Sequence, residues 1–217
     1  MLYIVATPIG NLQDMSLRAI EALKSADLIA CEDTRHTRIL LDAYGISTPT
    51  TSFFQHNRIQ KAGYLLRLLR EGRTIALVSD AGMPGILDPG YNIINLAVEN
   101  GIALTVIPGP SAFVNALVLS GKPSHRFIFE GFLPKRETAR RNRLAALKQL
   151  DCTIVCYESC HRIVSCLEDI EAVFGERNIC LARELTKKFE EIRRGPASAI
   201  AKALKAQRPR GEFVLVI

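Results

Sequence analysis

Thr74-Ile75-Ala76-Leu77-Val78-Ser79-Asp80-Ala81-Gly82-Met83-Pro84-Gly85-Ile86-Leu87-Asp88-Pro89-Gly90 passes from an uninterrupted apolar run to a segment with no periodicity at all. The apolar run is the pattern of a strand covered on both faces, as in a parallel sheet. The twelve residues after Val78 hold three glycines and two carboxylates, more than a tight turn requires. Two other apolar runs end in similar turns, Thr7-Pro8-Ile9-Gly10-Asn11-Leu12 and Ile107-Pro108-Gly109-Pro110-Ser111-Ala112. Ligands of open α/β sheets bind beyond the carboxyl ends of the strands, so three such turns are expected to converge on one crevice. Glycine lets the backbone approach a ligand closely, and proline sets the loop before binding. None of the three is G-x-G-x-x-G or a P-loop, so neither a dinucleotide fingerprint nor a nucleotide triphosphate cradle is supported. Asp80, directly after its strand, can accept hydrogen bonds from ribose hydroxyls or an amino group. An adenosyl cofactor with a cationic sulfonium offers both.

Working outward, strand and helix patterns alternate along the chain. Strands are expected at Tyr3–Ala6, Asp27–Cys31, Thr74–Ser79, Ala103–Ile107, Arg126–Gly131, Cys152–Tyr157, Ile179–Ala182 and Glu212–Ile217. Ile163, Leu167, Ile170 and Phe174 make a helical stripe at three- and four-residue spacing. Ser16 and Ser111 are candidate N-caps, and Gly45, Gly72, Gly101 and Gly175 stand where helices should stop. Phe189–Arg194 reads as an extra strand that returns without a helix. The expected fold is therefore α/β, in two α/β domains: residues 1–112 with a mostly parallel sheet, and residues 113–217 with a mixed one.

The hydrophobic share of 48% against 23% charged residues excludes a disordered chain. No run approaches the roughly 18–20 apolar residues of a membrane span. The chain opens directly in Leu2-Tyr3-Ile4-Val5, which reads as a first core strand and not an export signal, so a cytoplasmic location is expected. The six cysteines lack C-x2-C spacing and a finger-spaced histidine, so no metal site is expected. Cys152 and Cys156 are read as small residues on one face of a strand. The net charge of +6 favours a polyanionic partner. Lys135, Arg136, Arg140, Arg141, Arg143 and Lys148 cluster around a single acid, Glu137. They read either as phosphate contacts for RNA or as a solvated helix face. Arg35, His36 and Arg38 form a second basic group. With aromatics at 6% and no tryptophan, shape and phosphate contacts are expected to outweigh base stacking.

The motifs ATPIGNL (6–12), CEDTRHTR (31–38), HN (56–57), VSDAGMPGILDPGY (78–91), IPGPSA (107–112), RFIFEGFLP (126–134), YESCHR (157–162), ARELTK (182–187) and GEFVLVI (211–217) follow one another along almost the whole chain. In this order the chain resembles the tetrapyrrole-methylase superfamily, and within it the branch that methylates ribosomal RNA. The resemblance implies two α/β domains with S-adenosyl-L-methionine held between them, usually in a homodimer. It implies 2′-O-methylation of a cytidine ribose in the decoding region of 16S rRNA, in the small ribosomal subunit. Cofactor contacts implied by the same motifs are Pro8, Asp80, Ala81, Gly82, Ser111 and Ala112, with Tyr157, Glu158, Ala182, Arg183 and Gly211, mostly through backbone. Candidate catalytic groups are Glu130, Glu158, His161, Glu184 and Lys187. For Glu158 with Arg162 a structural ion pair is the other reading, and for His161 a histidine satisfied at a helix start. The RNA contacts implied are Arg35, Arg38, Lys135, Arg136, Arg140, Arg141 and Arg143.

The sequence departs from the family pattern at four places. Met83 stands for a usual Thr, Leu87 for a small polar residue, Arg58 for a Glu and Cys160 for Pro or Thr. The chain stops in the strand Phe213–Ile217, and the family's C-terminal extension is expected to be missing. A methylase of a corrin precursor or of a modified histidine, and a non-catalytic RNA-binding factor on the same fold, remain the alternatives.

Overall fold

The computed structural model describes residues 1–54, 58–88, 90–206 and 208–217; the His56-Asn57 motif and Pro89 lie outside them. The chain divides into two compact units, Met1–Ser111 and Ala112–Ile217.

The first unit contains β1 (Leu2–Val5), α1 (Leu17–Ser25), β2 (Leu28–Cys31), α2 (Thr34–Ala43), β3 (Thr50–Ser52), α3 (Arg58–Arg70), β4 (Ile75–Leu77), α4 (Tyr91–Glu99) and β5 (Leu104–Ile107). Its sheet has the order β3-β2-β4-β1-β5, with every pairing parallel. Parallel crossovers are right-handed, so the direction of travel along the sheet fixes each helix's face. The steps β1 to β2 and β2 to β3 run one way; β3 to β4 and β4 to β5 run back. Accordingly α1 and α2 cover one face with Leu23, Leu40 and Leu41 against Val5, Ile29 and Val78. Helices α3 and α4 cover the other, with Leu65, Leu69 and Ile93 against Leu2, Ile4, Ile75 and Leu77. Successive strand residues point to opposite faces, and both faces are apolar. This is why these strands read as continuous runs. The short β3, Thr-Thr-Ser at the sheet edge, was not expected: three polar residues carry no apolar signal.

The second unit contains α5 (Ala112–Ser120), β6 (Phe127–Phe132), α6 (Glu137–Lys148), β7 (Thr153–Ser159), α7 (Ile163–Phe174), β8 (Asn178–Arg183), β9 (Glu191–Pro196), α8 (Ala197–Lys205) and β10 (Glu212–Val216). The sheet order is β6-β7-β10-β8-β9; only β6 and β7 run parallel, so the sheet is mixed. The extra strand expected near residue 189 is β9, two residues further on, and it pairs antiparallel with β8 without a helix between. Helices α6, α7 and α8 pack Leu144, Leu167, Ile170 and Ile200 against Ile154, Cys156, Leu181 and Leu215. Ser16 caps α1 by accepting from Ala19 N–H, and Gly45, Gly72, Gly101 and Gly175 all take positive φ beyond helix ends. Cys152 precedes β7 and stays outside the core, whereas Cys156 is fully buried. Among the described residues no helix is long and apolar enough to cross a membrane.

Candidate active site

In the first unit the three Pro/Gly turns all leave the carboxyl edge of the sheet, and two are stitched together. Thr7 N–H donates to Gly82 C=O at 2.9 Å, and Gly82 N–H returns to Thr7 C=O at 3.0 Å. The buried Thr7 hydroxyl donates to Ser79 C=O at 3.0 Å, fixing the start of the long loop. The third turn closes in by lack of side chain. A Cβ on Gly109 would sit 3.0 Å from Ala6 Cβ. Gly82, at φ 82°, makes the left-handed turn that an L side chain would resist.

Four carboxylates stand beside this turn cluster. Asp80 Oδ1 accepts from Asp33 N–H at 3.2 Å, joining the loops after β2 and β4. Asp33 caps α2 through Arg35 N–H at 2.8 Å, and its ion pair with Arg35 pulls its carboxyl down to about 2. Asp88 goes the other way: burial, then repulsion from Glu32 and Asp80, pushes it up to about 6. Glu32 is raised for the same reasons, burial first and Asp80 second. Asp80 was expected here. Glu32 and Asp88 received no role, although both stand inside recognised motifs; the signal available was their place just after β2 and at the end of the glycine-rich loop.

In the second unit the expected residues gather at one end of β7, β10 and β8. Glu158 pairs in register with Phe213, and Phe213 with Arg183. These three project toward α6, α7 and α8, as does Cys156; Tyr157 and Ala182 project to the opposite face. Side chains of neighbouring candidates therefore cannot face one ligand together, which favours backbone contacts there. Glu158 is fully buried. Its Oε1 accepts from Ser159 N–H and from Arg162 Nε at 2.7 and 2.8 Å, while Oε2 has no hydrogen-bond partner among the described residues. Arg162 also donates to Leu133 C=O, so the structural ion pair exists. His161 is exposed at the turn before α7.

Glu184 and Lys187 form a second knot. Glu184 Oε1 accepts from Lys187 Nζ and from Glu212 N–H, each at 3.0 Å, and Lys187 also reaches Glu212 Oε2 at 2.8 Å. Burial raises the Glu184 carboxyl, but the Glu212 N–H and Lys187 outweigh it and hold it below its ordinary value. Burial lowers Lys187, and its two carboxylates more than reverse this. Gly211 takes φ 93°, which an L side chain would resist, and a Cβ there would lie 2.5 Å from the Glu184 side chain and displace it from the knot. Arg183 Nε donates to Arg210 C=O at 2.8 Å.

The basic helix is not the free cationic face expected. Arg140 is buried, with Nε 2.6 Å from Asp169 Oδ2, so it is withdrawn from the RNA contacts. Arg141 shares Asp169 and also pairs with Glu137 at 2.9 Å. Arg143 grips Glu130 with two bonds of 2.6 and 2.7 Å, at the bulge where β6 slips one residue against β7. Apart from Glu137, the acids lie 13 to 29 residues away in sequence, which is why α6 reads as unmatched. Lys135 and Arg136 carry no ion pair among the described residues. Arg35 and Arg38 are exposed but paired with Asp33 and Asp42.

Residues 1–201 match the pattern of the Tetrapyrrole (Corrin/Porphyrin) Methylases. The chain belongs to the tetrapyrrole methylase family. Among curated members it is 49% identical to the Ribosomal RNA small subunit methyltransferase I of Escherichia coli O157:H7, over 100% of this chain and 77% of that protein. The protein of the same name from Thermotoga maritima is 44% identical over 100% of this chain and 97% of its own length. Solved methylase structures share the fold. A diphthine synthase superposes with a TM-score of 0.75 at 15% identity, covering 100% of this chain and 89% of that one. A uroporphyrin-III C-methyltransferase from Thermus thermophilus, complexed with S-adenosyl homocysteine, gives 0.68 at 17%, covering 99% and 96%. This methylase chain thus has the α/β fold expected of it, with a parallel first sheet and a mixed second one.

Proposed function

We propose that this methylase uses S-adenosyl-L-methionine to methylate small-subunit ribosomal RNA, at the 2′-hydroxyl of a cytidine ribose in the decoding region. The supporting observation is the 44–49% identity, over the whole chain, to proteins named for methylating that RNA. A cytoplasmic location and a homodimer belong to the same proposal.

The first unit's own geometry fits such a cofactor. Gly82 and Gly109 leave backbone bare, and Asp80 with Glu32 and Asp88 offers acceptors for hydroxyl and ammonium groups and counter-charge for a sulfonium. Pro8, Asp80, Ala81, Gly82 and Ser111 are the contacts proposed there. Ala112, Tyr157, Glu158, Ala182, Arg183 and Gly211 are proposed from the second unit. When bound, the cofactor supplies an electrophilic methyl group for in-line displacement, a reaction in which positioning contributes much of the rate.

A ribose hydroxyl ionises poorly and gains from a base. Glu130 has both oxygens engaged by Arg143, and Glu158 is buried behind Arg162; both are assigned to positioning. Lys187 is held protonated, so its proposed role is to stabilise negative charge at the hydroxyl oxygen. His161, an exposed imidazole without an ion pair among the described residues, is the proposed proton acceptor.

Purified small subunits incubated with methyl-labelled cofactor test the reading. Label should appear in 16S rRNA and protect one ribose from alkaline hydrolysis; absence of transfer would overturn it. Asp80→Ala should weaken cofactor binding in calorimetry tenfold or more, about 1.4 kcal/mol. Unchanged affinity removes Asp80 from the site.

A further inference from the structure

We propose that Lys122, Arg177 and Arg194 form a phosphate-binding patch for the backbone of the RNA substrate, a role that rests on the RNA reading above. Three elements of the second unit bring these cations together. Arg194 on β9 stands opposite Cys180 on β8, and its guanidinium donates to Leu119 C=O at the end of α5. Lys122 follows in the turn after α5, its N–H bonded to Ser120 Oγ at 3.1 Å and its ammonium to Asn178 C=O at 2.8 Å. Arg177 immediately precedes β8 and is exposed.

The cations feel one another. Burial, then repulsion from Arg177, pushes the Lys122 ammonium below its ordinary value. Burial raises the Cys180 thiol, and the nearby Arg194 and Lys122 both act against that rise. No carboxylate pairs with any of the three among the described residues. The C-terminal carbonyls of α5 offer roughly half a negative charge, too little for three cations. Donors also remain: an ammonium has three N–H groups and a guanidinium five, and only one of each is spent on Asn178 and Leu119. Unmatched charge with spare donors suits phosphate oxygens, and in this respect the patch is the opposite of α6.

The test uses the full chain and a labelled 16S rRNA decoding-region hairpin, with binding measured across a potassium chloride series. The triple variant Lys122→Gln, Arg177→Gln, Arg194→Gln should flatten the slope of log K against log salt by about 2 to 3, roughly one per lost phosphate contact. A control, Lys24→Gln, Lys202→Gln, Arg208→Gln, removes the same charge from other exposed positions and should leave the slope nearly unchanged. Equal slopes in variant and wild type, or equal flattening in the control, overturn the patch. Poly-glutamate bound as tightly as RNA at equal charge assigns the patch to an acidic protein and also overturns it. If the triple variant fails to fold, Arg177→Gln alone should lower the slope by about 1. The transfer assay on wild-type protein is separate. Transfer with unchanged slopes sinks the patch alone; no transfer with flattened slopes sinks the methylation reading alone.

Discussion

The two units treat their carboxylates in opposite ways. In the second unit each of the acids near the sheet end and α6 is answered: Asp169 by Arg140 and Arg141, Glu130 by Arg143, Glu158 by Arg162, Glu184 by Lys187. In the first unit Asp33 is answered by Arg35. Glu32, Asp80 and Asp88 gather with no cation paired to them among the described residues, and burial first, then mutual repulsion, makes Glu32 and Asp88 resist ionisation. A matched pair holds elements together. An unmatched group costs stability in the free protein and is best explained by a charge that arrives from outside. The same rule, with the sign reversed, separates α6 from the Lys122 patch.

The largest effect should come from breaking a matched pair. Asp169 is buried and holds two arginines of α6 against α7. Asp169→Ala strands the Arg140 charge in the core and should cost about 3–5 kcal/mol in urea unfolding. Adding Arg140→Met should recover much of that loss, because the stranded charge is gone. A cost below about 1 kcal/mol would mean that matched pairs in this unit are not scaffold, and the contrast would fail.

An unmatched acid should behave in reverse. Burial, then repulsion from Glu32, pushes the Asp88 carboxyl up to about 6 in the folded chain, against 3.8 for a free aspartate side chain. A raised carboxyl binds its proton more tightly when folded. Its favourable contribution is therefore complete below pH 3.8 and is lost as pH rises through about 6. Asp88→Asn should match wild-type stability in acid and exceed it at pH 8 by about 1 kcal/mol, after allowance for solvent screening of a half-buried group. Cofactor affinity at pH 8 should fall in the same variant. A variant no more stable than wild type at pH 8 would return Asp88 to the matched class.

The sequence disclosed the fold wherever chemistry and geometry are local. The parallel sheet followed from apolar runs such as Ile75–Val78, and the helix stops from glycines at positive φ. The edge strand β3 was silent because its three residues are polar. The charge pairing was hidden for a different reason. Arg140 and Asp169 are 29 residues apart, and Arg143 and Glu130 are 13 apart across a bulge. A run of arginines in α6 therefore looked like an open cationic face. The three cations of the proposed patch, none paired with a carboxylate among the described residues, come from the turn after α5, the entry to β8 and β9, too dispersed to register as a run. For the candidate site, Asp80 and the glycines were legible from the loop's composition. Burial and crowding single out Asp88 and Glu32, and composition cannot express either.

The smallest effect concerns backbone strain, which both units store beside their charged groups. Leu87 takes φ 63° in the first unit's loop, next to Asp88, and Thr186 takes φ 67° in the second unit's knot, next to Lys187. Left-handed backbone costs a side chain with Cβ about 1–2 kcal/mol, less for asparagine. Leu87 is 58% exposed, so little packing is lost on replacing it. Leu87→Asn should therefore raise stability by about 0.5–1 kcal/mol, read as a rise of about 1–4 °C in Tm. Calorimetry on the same variant then sharpens the contrast between the units. If strain at Leu87 only reflects the residue present, cofactor affinity should hold while stability rises. If affinity falls instead, the left-handed turn helps aim the unmatched carboxylates, and strain joins charge as a mark of the loop that waits for its ligand.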